Sequence, residues 1–201
     1  MRELIVNTFL TLDGIMQAPG GPEEDPSGGF DHGGWSFGYW DEPMQEVMGE
    51  SMSKPFDLVL GRKTYEIFAA YWPQAEGPTA EVLNRATKHV ASRTLTELDW
   101  ENSKLIEGDV PEGVRALKAQ DGPELQVHGS ANLIQTLLEH GLIDEFRLWT
   151  FPVVLGKGKR LFDGGTLPGG LELTSSQVSS TGVITATYRT GAEIKYGSFA
   201  D

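Results

Sequence analysis

Hydrophobic positions along the chain recur with two periods. Residues 4–10 (LIVNTFL) are β-branched and aromatic, few in number and closed by the turn signal Asp13-Gly14, which predicts a strand buried on at least one face. Between Pro43 and Ser53 the apolar residues Met44, Val47, Met48 and Met52 fall at helical spacing, with Pro43 suited to a first turn. The run DLVLGRKTYEIFAAYW predicts a short strand at 57–60, a glycine turn at Gly61 and a helix from about Arg62 to Tyr71. Strands are expected at 88–92 and, with a weaker pattern, at 104–107; a helix is expected over 109–120 despite Gly113. ELQVH at 124–128 reads as a strand ending on Gly129. The segment 130–141 (SANLIQTLLEHG) places Leu133, Ile134, Leu137 and Leu138 on one helical face, between Ser130 as N-cap and Gly141 as terminator. A long strand follows over 144–154. The tail, LELTSSQVSS and VITATYRT around Thr181-Gly182, predicts an antiparallel hairpin, with a last short strand near 194–196.

Strands alternating with helices and then a strand-rich end predict an α/β domain with a mostly parallel sheet and an antiparallel edge. No linker divides the chain, so residues 1–201 are expected to form a single domain. The exception to the alternation is a loop over about 14–41. It holds the acidic cluster Glu23, Glu24, Asp25 and the late aromatics Trp35, Phe37, Tyr39 and Trp40. A loop of this length is expected to act as a lid, with its aromatic end packed.

The chain has 201 residues, 39% of them hydrophobic, which is enough for a full core. Its net charge of −13 opposes a phosphate-backbone footprint, so neither nucleic acid nor an anionic membrane is an expected partner. The charge is uneven: residues 1–60 carry −9 and 94–145 carry −8, whereas 61–93 carry +2 and 146–201 carry +2. Any bound anion should therefore be small and locally held. The absence of cysteine removes disulfides and thiolate zinc sites and points to a reducing cytoplasm. The opening MRELIVNTFLTLDG lacks the pattern of a signal peptide, and no run approaches the roughly 20 apolar residues that span a bilayer. His32, His89, His128 and His140 have no metal-ligand spacing, so no metal is expected.

In an open α/β sheet, ligands lie at the carboxyl ends of strands, where glycine admits a close backbone and a helix N-terminus offers free N–H groups. Three segments have that construction: Gly61-Arg62-Lys63-Thr64, Ser92-Arg93-Thr94, and His128-Gly129-Ser130-Ala131-Asn132. Together they suit a phosphorylated ligand with more than one anionic group; the alternative is that the glycines only make tight turns and the cations are solvated. Neither a Walker loop, nor a G-x-G-x-x-G turn, nor a G-x-S-x-G elbow is present.

The motifs TLDG (11–14), LVLGRKTYE (58–66), VASRTL (90–95), VHGSANLIQTLLEHGLIDEF (127–146) and PVVLGKGKRLF (152–162) occur in order over nearly the whole chain. In this the sequence resembles the riboflavin-biosynthesis reductase C-terminal domain family, which has the dihydrofolate reductase fold. The resemblance implies a three-layer domain with a central mixed sheet, NADPH across the strand ends, hydride transfer to a pyrimidine- or pterin-like heterocycle, and a homodimer. By position, Gly61, Arg62, Lys63 and Thr64 match the family's pyrophosphate-side turn. Ser92 and Arg93 match the segment at the adenosine ribose and its 2′-phosphate, which favours NADPH over NADH. Gly129, Ser130, Ala131, Asn132 and Leu133 match the second phosphate turn, and Asp13 and Gly14 match the strand end beside nicotinamide and substrate. Asp13 is the candidate catalytic residue, and Trp35, Tyr39 and Trp40 are expected over the substrate ring. The chain departs from the family in two ways. Without cysteine it cannot contain the Pro-Cys-x-x-Cys zinc deaminase, so a stand-alone reductase is expected; and His128 stands where biosynthetic members show an acid. A nucleotide-binding module without catalysis and a dihydrofolate reductase are the alternative readings.

Overall fold

A computed structural model describes residues 1–163 and 166–199; the other four positions of the expected 1–201 domain lie outside the described residues. Among the described residues, eight strands form one sheet in the order β4-β3-β2-β5-β1-β6-β8-β7. β1 (Leu4–Thr11), β2 (Phe56–Gly61), β3 (Lys88–Ala91), β4 (Ser103–Leu105), β5 (Glu124–His128) and β6 (Glu145–Phe151) run parallel. β8 (Ile184–Ala192) is antiparallel to β6, and β7 (Gly170–Val178) is antiparallel to β8 at the edge. The chain is thus an α/β protein with a mixed, mostly parallel sheet and an antiparallel C-terminal hairpin.

β1 is central because its residues are apolar toward both faces: Leu4, Ile5 and Val6 are all fully buried. Its even-numbered face, with Leu125, Val127 and Phe146, packs on α4 (Val110–Ala119) and α5 (Ala131–Glu139) through Val114, Ile134 and Leu137. The opposite face carries α1 (Glu42–Ser51), α2 (Arg62–Tyr71) and α3 (Pro78–Arg85). α2 brings Tyr65 and α3 brings Leu83 onto Leu58, Leu60 and Val90, while α1 brings Met44 onto Trp149 and Phe151. Each of these large side chains contributes on the order of 1.5–3 kcal/mol by leaving water.

The pattern of apolar residues misses α3, whose eight residues carry only Ala80 and Leu83 as buried contacts. The strand expected near 194–196 does not form: Tyr196 is 86% exposed and this stretch pairs with no neighbour among the described residues. The strand expected to run to 154 stops at Phe151, because Pro152 has no N–H for the ladder. Ser130 sits at the N-cap of α5 but does not cap it; its backbone is left-handed (φ 69°) and its hydroxyl turns elsewhere.

Candidate functional site

The helix after β2 leaves toward one face of the sheet and the helix after β5 toward the other, although β2 and β5 are neighbours. Diverging connections open a crevice at the carboxyl ends of the two strands, the place where open α/β sheets hold ligands. Gly61 and Gly129 end those strands. Gly129 has φ 61°, which favours glycine. The two turns are tied together: the Gly61 N–H donates to Ser130 Oγ at 2.9 Å. A Cβ at Gly61 would meet Leu133 and Ser130 at 3.5 Å, so the turns are packed against one another.

The crevice belongs to a cleft of about 1980 Å³ that runs on between α1 and the sheet. Of the residues singled out by sequence, Gly61, Arg62, Lys63, Thr64, Ser92, Arg93, Gly129, Ser130, Ala131, Asn132, Leu133 and Trp40 line it. Where α2 and α5 begin, the cleft offers groups suited to an anion. The N-termini of α2 and α5 open there, and neither has a side-chain cap, so their first N–H groups are available. Arg62, Lys63 and Arg93 are exposed around it; Arg62 is shared with Glu66 at 3.3 Å, and Arg93 has no ion pair among the described residues. The Ser92 hydroxyl oxygen accepts from the Leu95 N–H at 2.9 Å and holds the turn that presents Arg93.

Ser130→Ala should lower stability by about 1–2 kcal/mol, since it strands the Gly61 N–H and keeps a non-glycine residue left-handed. A fall of a few degrees in melting temperature is the expected measurement. Ser130→Gly relaxes the backbone without restoring the bond, so recovery in that variant would show that strain rather than the bond dominates.

The other end lies beneath the loop at 14–41. Phe9, Trp40, Met48 and Met52 make an apolar wall, and Trp40 sits 5.6 Å from Phe9 and 6.0 Å from Trp149, ring to ring. Trp35 and Tyr39 instead stand edge-on to Phe151 at 5.2 and 5.7 Å and fasten the loop to the sheet, outside the cleft lining. The loop is pinned at two further points. Lys159 Nζ donates to Asp25 at 2.5 Å and its N–H to Gln17 Oε1 at 3.0 Å. At the other end the Asp41 carboxylate accepts from the N–H and hydroxyl of Ser180 at 2.8 and 2.7 Å. Burial works to raise the Asp25 pKa, but the Lys159 ammonium and Ser27 hydroxyl outweigh it and hold the carboxyl below its ordinary value. Glu24, on the cleft wall, is pushed up by burial against the opposing Gly20 and Gly21 N–H groups.

Asp13 and Gly14 do not line the cleft. The Asp13 carboxylate accepts from the Thr11 hydroxyl at 2.5 Å, the Gly156 N–H at 2.8 Å and the Leu155 N–H at 3.3 Å, and Gly14 turns the chain at φ 81°. Both clasp the 152–160 turn onto the end of β1. Sequence reasoning passed over Asn7 and Phe9, which sit on the cleft floor. An amide among the apolar residues of β1 was the available signal for Asn7, since a buried polar group needs a reason to be there.

Comparison with known proteins agrees with this architecture. The uncharacterized protein YyaP of Bacillus subtilis (strain 168) is 30% identical over 196 residues, covering 93% of this chain and 94% of its own. A crystal structure from Shewanella sp. PV-4, of a protein with a provisional riboflavin-biosynthesis name, superposes with a TM-score of 0.67 at 22% identity, over 94% of this chain and 99% of that one. A dihydrofolate reductase from Enterococcus faecalis, complexed with NADP(H), gives 0.58 at 14% identity, over 94% and 97%. At these identities the two structures speak for a dihydrofolate-reductase-like fold. Residues 2–185 match the RibD C-terminal domain, and the chain belongs to that family.

Proposed function

We propose that this chain is an NADPH-dependent reductase that passes a hydride to a small pyrimidine- or pterin-like heterocycle, a reaction of the class of 5-amino-6-(5-phosphoribosylamino)uracil reduction. It works as one domain in the cytoplasm. One observation carries the reading: the ends of β2, β3 and β5 open into one cleft whose anion-binding end is continuous with an aromatic and apolar pocket under a pinned loop. Two uncapped helix N-termini and three cations fit a dinucleotide carrying an additional phosphate. When bound, the reduced nicotinamide supplies the hydride. The protein's own residues hold the phosphates, keep water out beneath Trp40 and Phe9, and set the acceptor ring over the cleft floor. Asp13 positions the turn that Lys159 and the loop depend on.

Isothermal titration tests this directly. NADPH should bind in the micromolar range; no binding below millimolar concentration sinks the proposal. A second reading, a module that holds the dinucleotide without turnover, draws on the engagement of Asp13 with the 152–160 turn. Sustained NADPH oxidation with any pyrimidine, pterin or quinone excludes it, and tight antifolate binding would instead mark a dihydrofolate reductase.

The same proposal includes a homodimer formed through β7. That strand is a sheet edge exposed along eight of its nine residues, with Leu173 53% and Val178 70% exposed, and such an edge invites a second strand. Light scattering should give twice the chain mass, and Leu173→Lys should return it to the monomer. A wild-type monomer at micromolar concentration would refute this part.

A further inference from the structure

Asn7 and His128 are register partners across β1 and β5, stand side by side on the α1 side of the sheet, and both line the cleft. What each presents there is decided by a file of hydrogen bonds behind it. The Arg147 guanidinium donates twice to Glu124, at 2.8 and 3.0 Å, and once to Glu145 at 2.8 Å. Burial alone would raise the Glu124 pKa, but Arg147 and Gln126 hold it below the ordinary carboxylate value, so it is an acceptor only. Gln126 must therefore turn its amide nitrogen to Glu124, at 2.6 Å, and its oxygen to His128 Nε2, at 2.7 Å. An amide oxygen cannot donate, so the imidazole proton lies on Nε2 and Nδ1 keeps its lone pair. Phe56 stacks on the ring at 6.1 Å and fixes its plane.

Asn7 is oriented in the same way. Trp149 Nε1 only donates, and it meets Asn7 Oδ1 at 3.2 Å, which leaves the Asn7 amide nitrogen to face away. Among the described residues neither Asn7 Nδ2 nor His128 Nδ1 has a protein partner. Neither is sealed from solvent, the Ser103 hydroxyl being the buried side-chain polar atom left unbonded. Burial, reinforced by the Arg147 charge, pushes the His128 pKa down to about 4, so the ring is neutral at pH 7.

We propose that His128 Nδ1 and Asn7 Nδ2 form an acceptor–donor pair that recognises a lactam edge, adjacent ring N–H and C=O, of the heterocyclic substrate. Gln126, Glu124, Arg147 and Trp149 are positioning residues for that pair. The inference rests on the reductase reading of the cleft and sharpens it: a ring that offers N–H beside C=O satisfies both groups, whereas an N-alkylated ring leaves an acceptor and a donor unpaired.

The test uses the full chain saturated with NADPH and two probes, 6-aminouracil and 6-amino-1,3-dimethyluracil, titrated calorimetrically. 6-Aminouracil should bind at least about tenfold more tightly. In Gln126→Leu, which frees the ring, that ratio should fall toward one while NADPH affinity is retained. A nitrogen-15 spectrum of the imidazoles in the wild-type chain without ligand should show His128 neutral and protonated on Nε2 at pH 7. Equal affinity for the two probes, no binding of either by NADPH-loaded protein, or an Nδ1-protonated or charged ring would overturn the proposal. Failure of NADPH to bind would overturn the cofactor reading instead, and the tautomer would still decide whether the file orients His128.

Discussion

Arg93→Ala is expected to raise the dissociation constant for NADPH by roughly 10- to 100-fold while leaving NADH nearly unchanged, as fits the loss of a charge-assisted contact to one phosphate. Arg93 follows the last residues of β3, which lies beside β2, so its guanidinium stands at the rim of the same crevice as Gly61. It is exposed and has no carboxylate partner among the described residues. Arg62 differs: its contact with Glu66 is an exposed pair one helical turn apart, of the kind that contributes little. The Arg93 effect should weaken as salt is added, since the rim is open to counter-ions. Titration of both cofactors into both proteins decides the matter, and equal losses for NADPH and NADH would remove the 2′-phosphate role from Arg93.

Lys88→Ala is expected to cost about 3–5 kcal/mol of stability, the sum of a core void and two stranded carbonyls. Lys88 is fully buried on β3. Its ammonium donates to the Asn84 and Glu101 carbonyls at 2.6 and 3.0 Å and lies 4.1 Å from the centre of the Trp100 ring. It thus closes the end of α3 against the turn before β4. Asn84 completes the junction, accepting from Trp100 Nε1 at 2.7 Å and donating to the Trp72 carbonyl at 2.9 Å. A chain of this size should melt roughly 10 °C lower in the variant.

Lys88 also sets a pH dependence of unusual sign. Burial pushes its pKa down to about 8 from 10.5, against the opposing pull of Glu101. Below pH 8 the lysine is charged in both folded and unfolded chains, and the cost of burying the charge is present in full. Between about 8 and 10.5 the unfolded chain binds the proton that the folded one has released, so stability on account of Lys88 rises with pH. Urea denaturation across that window should show the rise in wild type and its loss in Lys88→Met. Identical slopes for the two proteins would mean that the ammonium is not destabilised by burial.

The reading of the chain and the structure meet most closely where local pattern and tertiary role coincide. β1, β2, α2 and α5 stand within a residue or two of their expected bounds, because each carries a period that only one kind of element can bury. The three strand ends were legible for a related reason: glycine, cation and helix start follow one another in sequence, so the chemistry is local. Asn7 and His128 were not legible as a pair. They are 121 positions apart, and neither announces the other until β1 and β5 lie in register.

The aromatics of the loop show the same division. Their composition foretold a packed segment, and Trp35 and Tyr39 do pack, on Phe151. That Trp40 alone of the three lines the cleft depends on where the Asp41–Ser180 clamp ends the loop. Lys88 is the sharpest case. In the sequence it is one cation opening a strand; in the structure it is a buried hub, because α3 and the turn at 99–102 bring two carbonyls and an indole face around it.

Local pattern was enough for most of the elements, their alternation and the glycine turns at the strand ends, though not for α3, and composition was enough for the acidity that opposes a large phosphate-backbone footprint. These follow from the neighbours of each residue along the chain. Which turns share a crevice, which way Gln126 and Asn7 face and which aromatics touch the cleft are settled by packing across the sheet. Those depend on the strand order that inserts β5 between β1 and β2. Part of the uneven charge acquires its meaning there as well: of the cations in 61–93, Arg62, Lys63 and Arg93 line the crevice, beside the N-termini of α2 and α5, whereas Lys88 is buried in the core.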